Sequence, residues 1–96
     1  MGLPNVLLVV LDSVRARNVG HLGYPRNTTP NLDKFAKKAT TYVNARSPGI
    51  HSISSHVSLF TGYHVAEHQA TSHSSNLSPG HTMWENVAEE GYRTGL

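Results

Sequence analysis

Residues 51 to 62, HSISSHVSLFTG, place four serines and two histidines at the head of a short apolar segment that ends in Thr-Gly. Hydroxyls become nucleophiles when they are activated, and imidazoles move protons or hold anions near neutral pH. The segment predicts a helix, with Ser54 or Ser55 as its N-cap, Val57 to Phe60 as its apolar positions and Gly62 as its stop. A hydroxyl at such a start faces unpaired backbone N–H groups and the positive end of the helix dipole, which together hold an anion and favour an ionised nucleophile. Sulfate and phosphate esters are anions of that kind. The plainer reading of the same serines is that they cap a helix and decorate a loop.

A second residue with chemistry is Asp12, which closes the run NVLLVVLD. A continuous Val/Leu run, with Pro4 before it and polar residues after it, suits a strand buried on both faces of a parallel sheet. Asp12 would then sit at the carboxyl end of that strand, where open α/β sheets bind their ligands. Arg15 and Arg17 follow and could attract an anion, although a solvated loop accounts for them as well. His64 and His68 have the i, i+4 spacing of a metal pair, but Gly62 precedes them and neither an HExxH pattern nor a third ligand accompanies them. His21, His51, His73 and His81 fall in predicted loops, where solvated imidazoles are the simplest reading.

The elements that must position these residues follow from pattern. Residues 13 to 30 carry Gly20, Gly23, Pro25, Asn27 and Pro30 and predict a loop. TTPNLDKFAKKA offers Thr29 as N-cap and Pro30 at the first helical position, with Leu32, Phe35, Ala36 and Ala39 on one face, so a short amphipathic helix is expected at about 30–39. TTYVNA, from Thr40, has the β-branched and aromatic content of a second strand. Residues 63 to 80 predict an extended surface loop. Thr82 with Glu85 forms a capping box, Trp84, Val87 and Ala88 supply an apolar face and Gly91 a stop, which predicts a helix at about 82–91. Trp84 and Tyr92 are expected in the core, and YRTGL has the look of another strand opening. Strand, helix, strand, helix, strand makes the expected fold α/β: a partial parallel sheet flanked by helices, with Val6 to Leu11 central and Asp12 and Ser52 at one sheet end.

Composition bounds the partners. The chain has 96 residues, seven histidines, no cysteine and a formal net charge of +2. That length allows one domain with a thin core, burying about 65% of the surface its unfolded form exposes. Without cysteine there are no disulfides, thiolate metal sites or thiol nucleophiles. Basic residues are scattered apart from Lys34, Lys37 and Lys38, which is no nucleic-acid footprint. Val6 to Leu11 is too short to span a bilayer, and no basic region or cleavage pattern of a signal peptide flanks it. Neither a nucleic-acid nor a membrane partner is expected, and the compartment stays open between cytoplasmic and unassigned.

Four stretches taken in order, PNVLLVVLDSVRA, GYPRNTTPNLDKFAKKATTYVNA, SISSHVSLFTG and TMWENVAEEGYRTGL, resemble the amino-terminal part of the sulfatase family, within the alkaline-phosphatase-like superfamily. The resemblance covers almost all of the chain, and it implies that residues 1–96 are the front of a sulfatase-like catalytic domain, part of a larger α/β sandwich. It implies a metal-dependent hydrolase of sulfate esters, inactive as this portion alone and completed by the remainder of the parent domain. Its substrate would be a sulfated or phosphorylated small molecule or glycan. The family's first metal-binding aspartate falls on Asp12, and Ser13 stands where many members carry a second acid. Calcium is the expected metal, with magnesium as the alternative, and the other ligands would come from outside this chain, because such cations take about six oxygens. The family's nucleophile motif, C/S-x-P-S-R followed by a leucine and Thr-Gly, aligns on SISSH through LFTG. Ser52 thus takes the nucleophile position, Ser54 replaces the proline and His56 replaces the arginine. Sulfatases make their nucleophile, formylglycine, by an enzyme that reads that proline and arginine, so the departures open a second reading, a phosphate or phosphonate ester hydrolase with an unmodified Ser52. In either, His56 could hold the nucleophile or the anionic ester, or could simply be a helix-face residue. A third reading is a truncated, non-catalytic fragment.

Overall fold

The computed structural model describes residues 2–95. Among them are two short 3-10 turns, Ala16–Asn18 and Gly20–Leu22, and four helices: α1 (Pro30–Ala36), α2 (Ser52–Thr61), α3 (Val65–His68) and α4 (Met83–Glu89). No strand occurs among the described residues, so the expected parallel sheet is not there and the α/β assignment is corrected to helices joined by coil. The reason is the non-local nature of a sheet. A strand needs a neighbour to take its N–H and C=O groups, and among the described residues no segment pairs with Val6–Leu11 as a strand. Its side chains are accordingly exposed, from 43% at Leu8 to 86% at Leu7. Residues 40–45 behave likewise, with Tyr42 and Val43 exposed in coil rather than in a second strand. Residues 92–95 are coil too, and the last residue of the third expected strand, Leu96, lies outside the described residues. Without a sheet, the shared sheet end expected for Asp12 and Ser52 has no counterpart.

Two compact units divide the chain: Leu7–Ala45, and the other described residues, chiefly those from Arg46 onward. In the first, α1 starts at Pro30 behind Thr29, as its sequence predicts, and ends three residues earlier than the expected 39. The turn Gly20–Leu22 packs on it. Asp33 joins the two. Its Oδ1 accepts the Thr29 hydroxyl at 2.8 Å and the His21 N–H at 2.9 Å, while Thr29 Oγ1 accepts the Gly20 N–H at 2.9 Å. A Cβ at residue 20 would collide with the Asp33 carboxylate, so this approach requires glycine. Val19 is the buried apolar residue here.

In the second unit α2 packs against both α3 and α4. Phe60 of α2 meets Trp84 of α4 with ring centroids 5.7 Å apart, a tilted pair of the favourable kind. Trp84 and Tyr92 are half-buried rather than core. Thr82 and Glu85 cap α4 as the sequence predicts, while the helix ends at Glu89 with Glu90 rather than Gly91 as its C-cap, and Gly91 follows with φ 92°. The expected loop at 63–80 contains α3, one turn long. Ala70 is the buried apolar residue of this unit. No described helix is long and apolar enough to cross a membrane.

Candidate functional site

The serine-rich segment folds as the start of α2. His51, and neither Ser54 nor Ser55, is the N-cap: its Nδ1 accepts the Ile53 N–H at 3.3 Å. An imidazole can do this because a neutral ring keeps one bare nitrogen. Gly62 ends the helix with φ 74°, as expected.

Each serine then has a definable task. Ser54, only 4% exposed, donates to the His51 carbonyl at 2.9 Å. Ser55 donates to the Gly49 carbonyl at 2.8 Å, and its hydroxyl meets that of Ser47 at 2.6 Å. Gly49 fits so closely that a Cβ there would run into Ser54 Oγ. These bonds fix residues 47–51, the approach to Ser52. Ser52 itself is exposed at the first helical position.

One turn later His56 Nδ1 stands 2.7 Å from the Ser52 carbonyl oxygen. A carbonyl can only accept, so Nδ1 carries the hydrogen and Nε2 keeps its lone pair in the neutral ring. The ring also packs edge-on against Phe60, at 5.8 Å between centroids. His56 is therefore fixed on the same helix as Ser52, with one nitrogen committed to the backbone and the other able to take a proton or, once charged, to donate to an anion.

In the first unit Asp12 and Ser13 form an exposed turn, with Ser13 in the left-handed region at φ 62°. No group of three or more His, Asp or Glu residues able to hold a metal ion occurs among the described residues. One carboxylate and a neighbouring hydroxyl do not approach the six or so oxygens that calcium or magnesium requires, so the residues of this chain do not by themselves fit the metal. His64 and His68, the candidate metal pair, both direct Nδ1 to a backbone N–H instead.

One pair went unnoticed in the sequence. Ser58 Oγ and His68 Nε2 are 2.9 Å apart, ten residues apart in the chain and joined only because α3 folds back on α2. A second is the cluster on Asp33, whose carboxyl lies below its ordinary value chiefly because of the Thr29 hydroxyl, with His21 adding to the effect. Neither pairing has a local signature.

The Sulfatase family model matches residues 4–96. The chain is 28% identical to an arylsulfatase of Clostridium perfringens over 93 residues, 95% of this chain and 19% of the relative. It is 29% identical to human arylsulfatase K over 92 residues, 95% of this chain and 17% of the relative. It is 32% identical to the multifunctional alkaline phosphatase superfamily protein PehA of Trinickia caryophylli over 86 residues, 84% of this chain and 17% of the relative. The chain thus spans less than a fifth of the length of these three relatives. No solved structure is significantly similar to it.

Proposed function

Because the chain belongs to the sulfatase family, we propose that it is the amino-terminal portion of a hydrolase that cleaves sulfate esters through Ser52. The observation that carries this reading is the position of Ser52: the family's nucleophile position falls on the exposed first residue of α2, whose approach is pinned by Ser54, Ser55 and Gly49. In the reaction the Ser52 oxygen gives up its proton and bonds to the sulfur, the ester's S–O bond breaks, and the alcohol leaves with a proton. Water then attacks the sulfur, and sulfate departs as Ser52 regains its hydroxyl. His56 Nε2, one helical turn away, is the group of this chain suited to meet the ester's oxygens when protonated.

Asp12 and Ser13 are the chain's contribution to a divalent metal site, calcium before magnesium, whose other ligands lie outside these residues. The family is expected to need that ion, but this chain does not complete its site and no step is assigned to it. By the same token residues 1–96 alone are inactive. The substrate is a sulfated small molecule or glycan.

Two departures support a second reading. Ser54 and His56 replace the proline and arginine that direct conversion of the nucleophile to formylglycine. An unmodified Ser52 suits a phosphate or phosphonate ester, and one relative is named for the alkaline phosphatase superfamily. Intact-mass analysis of the full reading frame, with hydrolysis assays on an aryl sulfate and an aryl phosphate, separates the two. Aryl sulfate turnover, with residue 52 found as serine or as formylglycine, supports the sulfatase, aryl phosphate turnover with an unmodified serine supports the second, and no turnover of either ester contradicts both.

A further inference from the structure

α3 is a single turn, too short to be held by its own backbone hydrogen bonds. Two histidines hold it instead, both as acceptors. At its start His64 Nδ1 accepts the Ala66 N–H at 3.3 Å, and the Glu67 carboxylate reciprocally accepts the His64 N–H at 2.7 Å. At its end His68 Nδ1 accepts the Ala70 N–H at 3.0 Å, where the chain turns away through Gln69 at φ 52°. Ala70 is 4% exposed, so its N–H depends on that bond.

An acceptor nitrogen carries no hydrogen. In a neutral ring the proton of His68 is therefore on Nε2, which donates to Ser58 Oγ of α2. This polarity is the reverse of a nucleophile–base pair, in which the imidazole must receive the hydroxyl proton. The pair is thus a tether between α2 and α3, and its direction is set by the Ala70 N–H.

We propose that His64 and His68 make α3 a proton-sensitive latch on α2, closed while both imidazoles are neutral and opened when they take up protons. Protonation places a hydrogen on Nδ1, and two N–H groups then face each other at each end of α3. The bond from His68 Nε2 to Ser58 survives, so opening begins at the Ala66 and Ala70 amides. Arg46 lines the hollow that His64 shares with Ser58 and Tyr63, and it opposes a second positive charge there. Glu67, on α3 itself, favours that charge. From α2, the element packed against α3, the titratable side chain is His56, already bonded to the Ser52 carbonyl. Tyr63, next to His64, bonds His81 at 3.3 Å.

The test is an NMR titration of the chain from pH 7.5 to 5. At pH 7.5 both rings are expected as the Nε2–H tautomer, with the Ala66 and Ala70 amides protected. On acidification, the protection factors of these two amides, taken against the intrinsic exchange rate at each pH, should fall by about tenfold or more in step with protonation of the two rings, before the Glu85-capped start of α4 changes. In His64→Asn/His68→Asn, a carboxamide oxygen can take over each N–H bond without titrating, so protection should persist to pH 5. An Nδ1–H tautomer at His68, unprotected amides at pH 7.5, or protection unchanged to pH 5 in the native chain would each overturn the latch. So would acid opening that survives in the double variant. Should that variant not fold, the native titration decides.

Discussion

Glu85 shows how a single half-buried carboxylate becomes structural. The Thr82 hydroxyl and N–H donate to one of its oxygens, at 2.7 and 2.9 Å, and the Gly80 N–H donates to the other at 2.7 Å. Led by the Thr82 hydroxyl, these bonds bring the carboxyl from the ordinary 4.5 down to about 2. A depressed value means that the charged form favours the fold, so this contribution is intact above pH 4.5 and is lost as the pH falls toward 2. In Glu85→Gln that acid-dependent loss should disappear from the exchange of the Thr82 and Gly80 amides, and an unchanged acid profile would count against the cap. The Thr82–Glu85 spacing made this box legible in the sequence, because both partners lie within one helical turn. His51 as the cap of α2 was not legible, since hydroxyls and carboxamides lead among caps and two serines stood nearby. Nor was the bond between His21 and Asp33, which spans twelve residues and depends on the Gly20–Leu22 turn meeting α1.

At the scale of elements, the helices at Pro30 and Met83 were anticipated by caps and apolar spacing, and α2 by its apolar residues and Gly62, although it starts at Ser52 behind His51 rather than behind Ser54 or Ser55. The strands were not realised, because β-propensity states a preference whose ladder partner must come from elsewhere in the chain. Val6–Leu11 has the composition of a buried strand and lies exposed, with Leu7 at 86%. Replacing Leu7 with lysine should therefore change the thermal stability of the chain by less than about 0.5 kcal/mol, as at an ordinary surface position. A loss of about 2 kcal/mol or more, the scale for a buried leucine, would show the run to be packed after all. α3 escaped the pattern reading for a related reason: it is one turn long and is held by two imidazoles, neither of which marks a helix boundary in sequence.

For the molecule as a whole, the family was legible because four words recur in order over residues 4–96, and the matched family model covers the same span. The proposed site residues, Asp12, Ser13, Ser52 and His56, come from the family resemblance alone, and no group of three or more metal-ligating side chains occurs among the described residues. The role proposed for Ser52 is that of the nucleophile. Its most direct test is turnover of an aryl ester by the full reading frame that carries this chain, with Ser52 and with Ser52→Ala, while mass spectrometry looks for ester group transferred to residue 52. Loss of the hydroxyl should lower kcat by several orders of magnitude with little change in substrate binding, and the covalent adduct should form only on the native protein. Undiminished turnover in Ser52→Ala, or an adduct on another residue, would contradict it.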